Sequence, residues 1–365
     1  MSGPGSASGG ACPQAPALTL AELDYDLPLG LVAQHPVEPR DASRLLVCRR
    51  GGGELEDRVF ADLPALLRAG DVLVRNDTRV FPARAYFRRA TGGRIEVLFL
   101  RPAGEAGPAE AWEVLLRGRP RSGETLTNEV LRDAWPLVCQ KPFGDGRWLV
   151  TSAASQSVFD LLEKAGVTPL PPYIHELLTD PERYQTTYAR AVGSAAAPTA
   201  GLHFTSALDA ALADAGVTVE TVTLHVGLGT FRPLEEETLA AEQLHSEAYA
   251  VDAAVWARLR AARAQGRRVV AVGTTSLRTL EHLARATTPS GASPALLRGD
   301  TSLFVTPGFE FRVVDALITN FHLPRTSLLA LVMAFCGVAE TRLLYRHAVT
   351  QRYRFYSFGD AMLAL

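Results

Sequence analysis

The sequence predicts an α/β fold: a barrel-like main domain with a mostly parallel sheet, interrupted by a small inserted all-β barrel domain. After Ser152, short apolar runs alternate with helical patterns, an order typical of a parallel sheet with connecting helices. Between about 82 and 152, short strand-like runs are separated by glycine or proline, as in a small β-barrel or sandwich. We expect a disordered tail over 1–18, a main domain over 19–81 and 153–365, and a barrel domain over 82–152.

The first buried strand is predicted at "DVLV" (71–74), which a polar, turn-forming "RNDT" follows. In the barrel segment, "ARAYFRRATGGRIEVLFL" (83–100) alternates on both sides of "TGG", and this pattern predicts a β-hairpin. Further barrel strands are predicted at "AWEVLLRG" (111–118), "WPLVCQ" (135–140) and "GRWLVT" (146–151).

The second half of the chain alternates between the two kinds of element. Helices are predicted at "SVFDLLEKAG" (157–166), "SALDAALADAG" (206–216), "AAVWARLRAARAQG" (253–266) and "TSLLALVMAF" (326–335). Strands are predicted at "VTVETVTLHV" (217–226) and "DALITNFH" (315–322), and "RRVVAVGTTSLRTLE" (267–281) is predicted as strand, loop and helix. We expect the chemistry on loops at the carboxyl ends of the strands.

The composition is that of a soluble globular protein, with 47% hydrophobic and 21% charged residues and a net charge of −2. The apolar run 327–339 is too short for a membrane span, and the amino terminus lacks the pattern of a signal peptide. Four widely spaced cysteines disfavour disulfides and zinc. We expect a cytoplasmic monomer without membrane contact. Lys141 and Lys164 are the only lysines, so arginine is expected to bind any anion.

Three segments at strand ends contain, between them, several glycines, hydroxyl side chains and histidines. They are "TLHVGLGTF" (223–231), "VAVGTTSLRTLE" (270–281) and "LITNFHLP" (317–324). Glycine lets a ligand approach the backbone, and a helix start offers free N–H donors. For "GTTS", a simple helix cap by Thr275 or Ser276 is the alternative, although Arg278 one turn later favours a carboxylate or phosphate site.

Four histidines lie in apparent loops, and we interpret them as a convergent site. They are His203 in "APTAGLHFT" (197–205), His225, His245 and His322. Any one of them alone would more often be structural. A metal site remains an alternative without supporting HxH spacing, and a serine hydrolase lacks the GxSxG motif.

Two segments, 171–194 and 353–363, interleave tyrosine or phenylalanine with arginine. Such side chains stack on unpaired bases and neutralise phosphate, as binding to an RNA loop requires. Amphipathic packing at a domain edge explains the same pattern equally well.

Taken together, these blocks resemble the S-adenosylmethionine:tRNA ribosyltransferase-isomerase family of queuosine biosynthesis. The resemblance covers almost the whole chain and includes "AQHPVEPRDASRLLV", "GDVLVRNDTRVFPAR", "ERYQTTYA", "GSAAAPTAGLHFT", "TLHVGLGTFRPL", "HSEAY", "GRRVVAVGTTSLRTLE", "PGFEFRVVDALITNFHLP" and "YRFYSFGDAML". It implies a barrel-like α/β main domain with an inserted β-barrel.

The resemblance also implies a reaction and its substrates. The ribosyl part of S-adenosylmethionine moves to the 7-aminomethyl-7-deazaguanine base at the tRNA wobble position and rearranges to epoxyqueuosine, releasing adenine and methionine. The partners are S-adenosylmethionine as co-substrate and the tRNA anticodon loop, with no metal or further cofactor. A base must remove a proton beside the sulfonium, which suits a histidine or carboxylate.

On this basis, we expect three groups of functional residues. The catalytic base is one of His203, His225 and Glu247. Substrate binding is expected from Thr199, Gly201, Gly227, Gly229, Thr230, His245, Gly273, Thr274, Thr275, Ser276, Arg278, Asn320 and His322. Contacts with tRNA are expected from Arg183, Tyr184, Tyr188, Arg354 and Tyr356. Two rival functions remain: a phosphoribosyl-type transferase, which would need an acidic pair absent beside "GTTS", and a non-catalytic RNA-binding module.

Overall fold

The computed structural model describes residues 18–103, 110–144, 146–176, 178, 180–227, 234–241, 243–286 and 295–365. The strands are β1 (Arg44–Cys48), β2 (Glu56–Val59), β3 (Val72–Asn76), β4 (Thr78–Val80), β5 (Arg84–Arg88), β6 (Arg94–Pro102), β7 (Glu110–Arg117), β8 (Thr125–Asn128), β9 (Arg132–Gly144), β10 (Arg147–Ser152), β11 (Ala191–Ser194), β12 (Thr218–Leu224), β13 (Gln243–Asp252), β14 (Val269–Val272), β15 (Leu296–Leu303), β16 (Ala316–Asn320) and β17 (Ala361–Ala364). The helices are α1 (Leu63–Leu66), α2 (Val158–Ala165), α3 (Ser206–Asp214), α4 (Glu236–Ala241), α5 (Ala253–Ala264), α6 (Gly273–Leu283), α7 (Ser327–Cys336) and α8 (Val338–Thr350).

The main sheet has, among the described residues, the strand order β15-β13-β12-β3-β14-β16-β17-β1-β2. Its central strands β12, β3, β14 and β16 are parallel neighbours, whereas β17 is antiparallel to β16 and parallel to β1. The carboxyl ends of the four central strands therefore share one edge of the sheet with the amino ends of β17 and β1. This edge collects the functional side chains described below.

Both faces of the central strands are covered, which explains their continuous apolar sequences. Every residue of β14, β16 and β17 is buried. One face packs against a cluster that includes α5, α6, α7 and α8, and the other packs against a cluster that includes α1 and α3. Hydroxyl or carboxylate side chains cap several of these helices. Asp252, for example, accepts a hydrogen bond from the Ala254 N–H at the start of α5.

The inserted segment forms a closed barrel with the strand order β10-β7-β6-β5-β8-β9. Its interior is filled by large aromatic side chains, as expected for a barrel of this size. Phe99 contacts Trp112 and Trp135 at ring-centroid distances of 5.6 and 5.5 Å, and Phe87 contacts Trp135 at 5.1 Å. Helix α2 packs its apolar residues onto the same core.

The predicted fold class, an α/β main fold with an inserted β-barrel, is confirmed. The structure also contains the hairpin around "TGG" and the predicted helices and strands, and it has further elements that were not predicted, among them β13, β15 and β17. The predicted loop at "GTTS" is wrong, because α6 begins at Gly273 directly after β14. Gly273 has a φ of +84°, a backbone conformation that lets the chain turn without a loop. Residues 1–17 of the predicted tail lie outside the described residues, and the division into domains stays a prediction.

Among the described residues, no single helix is long and apolar enough to cross a membrane. The pair α7 and α8 passes this test only when both helices are taken together, and they are bent by 114°.

Candidate active site

His203 occupies the end of a 3₁₀ helix, Thr199–His203, over the edge of the main sheet. Only 5% of the residue is exposed, and its ring stacks on Phe60 with a centroid distance of 4.9 Å. Both ring nitrogens are engaged: Nδ1 lies 2.7 Å from Ser43 Oγ, and Nε2 lies 3.1 Å from Asn320 Nδ2. Since the Asn320 amide donates to Nε2, Nδ1 carries the proton and donates to Ser43.

The surroundings of His203 keep its ring neutral. Burial, together with the positive charge of Arg354, lowers the pKa of His203 to about 3. A group with so low a pKa holds no proton near neutral pH and is a weak base. The geometry therefore favours His203 as a hydrogen-bonding residue that positions its neighbours.

A small cleft opens beside His203 and carries three arginines: Arg40, Arg183 and Arg354. Arg40 donates to the carbonyl oxygens of Gln185, Leu202 and Glu182, and Arg183 pairs with Glu38 at 2.5 Å. Arg354 Nη1 donates to the His35 carbonyl at 3.1 Å, whereas its buried Nη2 has no partner among the described residues. This cleft suits an anion, because guanidinium groups bind phosphate and carboxylate well.

His225 lies at the carboxyl end of β12 and is only half-buried. Its Nδ1 is 2.8 Å from Thr78 Oγ1, and that hydroxyl donates to the Ala191 carbonyl at 3.3 Å. Thr78 therefore accepts the Nδ1 proton, and Nε2 keeps its lone pair. Nε2 forms no hydrogen bond with the part of the chain that the structure describes.

The backbone of Gly193 supports the His225 ring. A Cβ atom at Gly193, where φ is +150°, would lie within 2.8 to 3.0 Å of three ring atoms. Burial lowers the pKa of His225, and the nearby carboxylate of Asp77 opposes this shift. Asp77 is itself held by Arg190 at 2.8 Å and by the Thr223 hydroxyl at 2.7 Å. The ring is therefore fixed, neutral near pH 7 and able to accept a proton at Nε2.

Glu247 and Arg278 form a buried ion pair between β13 and α6. The Glu247 Oε1 atom also accepts the Gly227 N–H at 3.1 Å, and Arg278 Nε donates to the Leu303 carbonyl at 2.9 Å. Arg278 Nη2 is buried without a partner among the described residues. Because removing one partner would leave a buried charge, this pair is expected to fix the strand ends around it.

The first turn of α6, with Gly273, Thr274, Thr275 and Ser276, is buried at the same edge. Thr275 accepts a hydrogen bond of 3.2 Å from Asn76 Nδ2, which also donates to the Leu224 carbonyl at 2.9 Å. Ser276 Oγ donates to the carbonyl of Val272, the residue before the helix. The hydroxyls of Thr275 and Ser276 thus already bind protein groups.

The two histidine sites are separated along the sheet. His225 follows β12 and Asn320 ends β16, and these strands are three steps apart in the strand order. At about 4.8 Å a step, the separation is about 14 Å. His203 and His225 therefore lie against different atoms, either of one large substrate or of two substrates.

Three tyrosines predicted to contact the anticodon loop are already covered by protein. Tyr184 has no exposed surface and packs against Phe358 at a centroid distance of 5.9 Å. The Arg75 guanidinium lies over the Tyr188 ring, 3.8 Å from its centroid, and the ring centroids of Tyr356 and Tyr173 are 3.9 Å apart. Base stacking needs an open ring face, so we withdraw these three as stacking residues. Arg183 and Arg354 remain as predicted contacts.

The other predicted residues divide into four groups. Thr199 and His322 line a second cavity near Asn320, and His322 Nε2 lies 3.0 Å from Thr319 Oγ1. Gly201 packs against Tyr188, whose hydroxyl would collide with a Cβ atom there. His245 was predicted in a loop, but it is exposed on β13. Gly229 and Thr230 lie outside the described residues.

Sequence reasoning assigned no role to several residues of the site. They are Arg40, Ser43, Asn76, Asp77, Thr78, Tyr173, Gly193 and Asp360. Most lie in blocks that the family resemblance quotes, such as "EPRDAS", "RNDT" and "FGD", and this is the signal that points to them. Among the described residues, no three metal-binding side chains cluster to form a metal site.

The fold and site define an α/β protein with an inserted β-barrel and a histidine-bearing cleft at the strand ends of its main sheet. A family model described as "Queuosine biosynthesis protein" matches residues 20–364, and the chain belongs to this family. It is 49% identical over 95% of its length to the whole S-adenosylmethionine:tRNA ribosyltransferase-isomerase of Symbiobacterium thermophilum, and 50% identical over 95% to the whole enzyme of Moorella thermoacetica. The crystal structure of S-adenosylmethionine tRNA ribosyltransferase from Thermotoga maritima, 37% identical, matches 94% of this chain and all of its own with a TM-score of 0.54.

Proposed function

We propose that this protein is an S-adenosylmethionine:tRNA ribosyltransferase-isomerase. It transfers the ribosyl part of S-adenosylmethionine to the 7-aminomethyl-7-deazaguanine base at the wobble position of tRNA. The transferred group rearranges to give epoxyqueuosine in tRNA, and adenine and methionine leave. S-adenosylmethionine is the co-substrate, and no further cofactor is assigned.

One observation carries this proposal: relatives with this name are 49% and 50% identical to the chain across 95% of its length. The arrangement of the site supports it. Half-buried His225 offers one nitrogen lone pair, and a separate cleft carries three arginines. A reaction between a small cationic substrate and a polyanion needs a base and an anion site of this kind.

We assign the base to His225, because its Nε2 is unengaged by the described protein and its Nδ1 proton is held by Thr78. The sulfonium of S-adenosylmethionine acidifies the adjacent 5′ carbon, and Nε2 accepts that proton. Glu247 and Arg278 pair with each other and bind backbone groups of Gly227 and Leu303, just after β12 and at the end of β15. This changes the role expected for Glu247 from base to positioning residue.

Arg354, Arg183 and Arg40 are assigned to the tRNA backbone. Their cleft adjoins His203, which orders Ser43 and Asn320 through its two ring nitrogens. Because phosphate contacts release counterions, tRNA affinity should fall steeply as salt concentration rises. A flat salt dependence would contradict this assignment.

The decisive experiment measures adenine release from S-adenosylmethionine with three RNAs: none, unmodified tRNA, and tRNA carrying the aminomethyl base. Release only with the modified tRNA is expected. A non-catalytic RNA-binding module would bind tRNA and release no adenine. A phosphoribosyl-type transferase would instead consume a phosphoribosyl donor, and it is tested by supplying one in place of S-adenosylmethionine.

A further inference from the structure

His225 lines a cavity with a volume of about 850 Å³, which we call the His225 cavity. Sites for small molecules usually have volumes of about 300 to 1,000 Å³, so an S-adenosyl compound fits in this space. The proposed base therefore borders a cavity that can hold the molecule whose proton it accepts.

The strands β12, β13 and β15 form the floor of the His225 cavity. The His225 N–H donates to the Ala248 carbonyl at 2.9 Å, and Ala248 pairs with Asp300 on β15. Ala250, two residues along β13, pairs with Arg298. Residues that pair directly across antiparallel strands lie on the same face of the sheet, and so do residues two apart on one strand. His225, Arg298 and Asp300 therefore share one face, with alanine side chains between them.

The small side chains of Ala248 and Ala250 leave a gap between His225 and the two charged residues. Two steps between neighbouring strands place the backbones of His225 and Asp300 about 10 Å apart. In an S-adenosyl compound, the chain from the 5′ carbon through sulfur to the α carbon of the amino acid spans about 5 Å when extended. With a contact to a side chain at each end, this length matches the gap.

Most charged side chains of the His225 cavity already bind protein groups. They are those of the ion pairs Asp77–Arg190 and Glu220–Arg258, and that of Asp252, which caps α5. The two that remain are Arg298 and Asp300, and both residues are exposed. Neither side chain has an ion-pair or hydrogen-bond partner in the part of the chain that the structure describes. One positive and one negative group are thus left for a ligand.

We propose that Arg298 and Asp300 bind the amino-acid end of the S-adenosyl substrate. This inference rests on the proposed function and deepens it. An α-amino acid carries a carboxylate and an ammonium group on one carbon. The Arg298 guanidinium binds the carboxylate, and the Asp300 carboxylate accepts hydrogen bonds from the ammonium group. The 5′ carbon of the same molecule then lies at His225, within the same cavity.

The sequence favoured Arg278, in the first turns of α6, for binding a carboxylate or phosphate. Arg278 pairs with Glu247 instead. Leu224, the residue before His225, packs in the same apolar cluster as Leu277 of α6. Because side chains alternate along a strand, α6 covers the face of the sheet opposite to the His225 ring. An amino-acid end bound there would lie on the wrong side of the sheet for the proposed base.

The test compares the binding of S-adenosylhomocysteine and of 5′-methylthioadenosine, which has the same thioether and ribose but no amino-acid end. Neither compound contains the sulfonium, so binding is measured in the presence of tRNA carrying the aminomethyl base. Wild type should bind S-adenosylhomocysteine at least about tenfold more tightly than 5′-methylthioadenosine, because hydrogen bonds between charged groups are strong. Arg298→Gln and Asp300→Asn should each weaken S-adenosylhomocysteine about tenfold and leave 5′-methylthioadenosine unchanged.

Two further variants make the test specific. Arg298→Lys keeps the charge but loses the planar fork, so it should bind S-adenosylhomocysteine between wild type and Arg298→Gln. Arg260→Gln is the matched control, because Arg260 is exposed on α5 and does not line the cavity. It should bind both compounds like wild type. The melting temperatures of all these variants should stay close to that of wild type, since the side chains are exposed.

Three results would overturn the proposal. Wild type that binds the two compounds equally would show that no protein group holds the amino-acid end. Equal losses for both compounds in Arg298→Gln and Asp300→Asn would show that these residues act on the nucleoside instead. Unchanged binding of both compounds in these variants would show that the two charges are only solvated. Each result is separable from failure of the proposed function, which would appear as wild type that releases no adenine with the modified tRNA.

Discussion

His203 and His225 lie at the same edge of one sheet, yet their surroundings give them different chemistry. Both nitrogens of His203 are engaged, by Ser43 and Asn320, and burial lowers its pKa to about 3. His225 is half-buried, and among the described residues only its Nδ1 is engaged, by Thr78. This difference is why we propose His225, and not His203, as the base: a general base needs a nitrogen lone pair that the substrate can reach.

The comparison also explains why two glycine-rich histidine segments were hard to rank from sequence. Both segments place histidine near glycine and threonine, and the local pattern is nearly the same. What separates the two rings is the depth of burial and the second hydrogen bond, and both depend on distant strands.

The largest expected effect comes from replacing the proposed base. His225→Ala should lower the rate of adenine release by about 10² to 10⁴-fold, the usual contribution of general base catalysis. Binding of S-adenosylmethionine and tRNA should change little, since His225 Nε2 acts on a proton. Single-turnover adenine release and equilibrium binding measure the two effects separately.

The exposed His175 provides a matched control, and His175→Ala should retain wild-type rates. The assignment would be reversed if His225→Ala kept most of its activity while His203→Ala lost activity and altered the pH profile. A loss in His203→Ala with an unchanged pH profile fits a positioning role.

A smaller effect is expected from displacing the His225 ring without removing it. A Cβ atom in Gly193→Ala would lie 2.8 Å from the ring, so the ring must shift. A misplacement of about 1 Å costs on the order of 100-fold in rate. Gly92→Ala is the control, because Gly92 also has a positive φ, of +86°, but has nothing within 4 Å. Both variants should lose a similar amount of stability, but only Gly193→Ala should lose activity by a factor of that order. Equal activities of the two variants would show that the ring tolerates the shift.

Local patterns were sufficient to predict the elements that lie between the site residues. The run "VVAV" and the helix after it were expected, but not their direct junction, since a glycine with positive φ replaces the loop. Polar residues at strand ends were also visible, which is why His225 and Asn320 were found. These inferences need only short-range periodicity.

The partners of these residues could not be predicted in the same way. Ser43 reaches His203 because β1 and β17 run opposite to β16, which places their amino ends at the carboxyl edge of the central strands. This pairing joins residues 160 positions apart, and no local pattern encodes it. The burial of Tyr356 could not be predicted for a related reason: aromatic residues next to arginine have the same pattern on an RNA-binding surface and in a buried cluster such as that of Tyr356 and Tyr173.

The smallest expected effect concerns stability and follows from the neutral state of His203. Its pKa is about 3 in the folded protein and about 6.5 in an unfolded chain. Between these values the unfolded state binds more protons, so the free energy of unfolding falls as the pH is lowered through about 6.5. His203 should contribute a loss of about 1.4 kcal/mol per pH unit below that point. Urea denaturation between about pH 6.5 and pH 5 measures this dependence. For each pH unit, His203→Gln should lose about 1.4 kcal/mol less free energy of unfolding than wild type. His225→Gln should change the slope less, because its ring is less buried. Identical slopes for wild type and His203→Gln would mean that His203 accepts a proton in the folded protein, and the contrast between the two histidines would then fail.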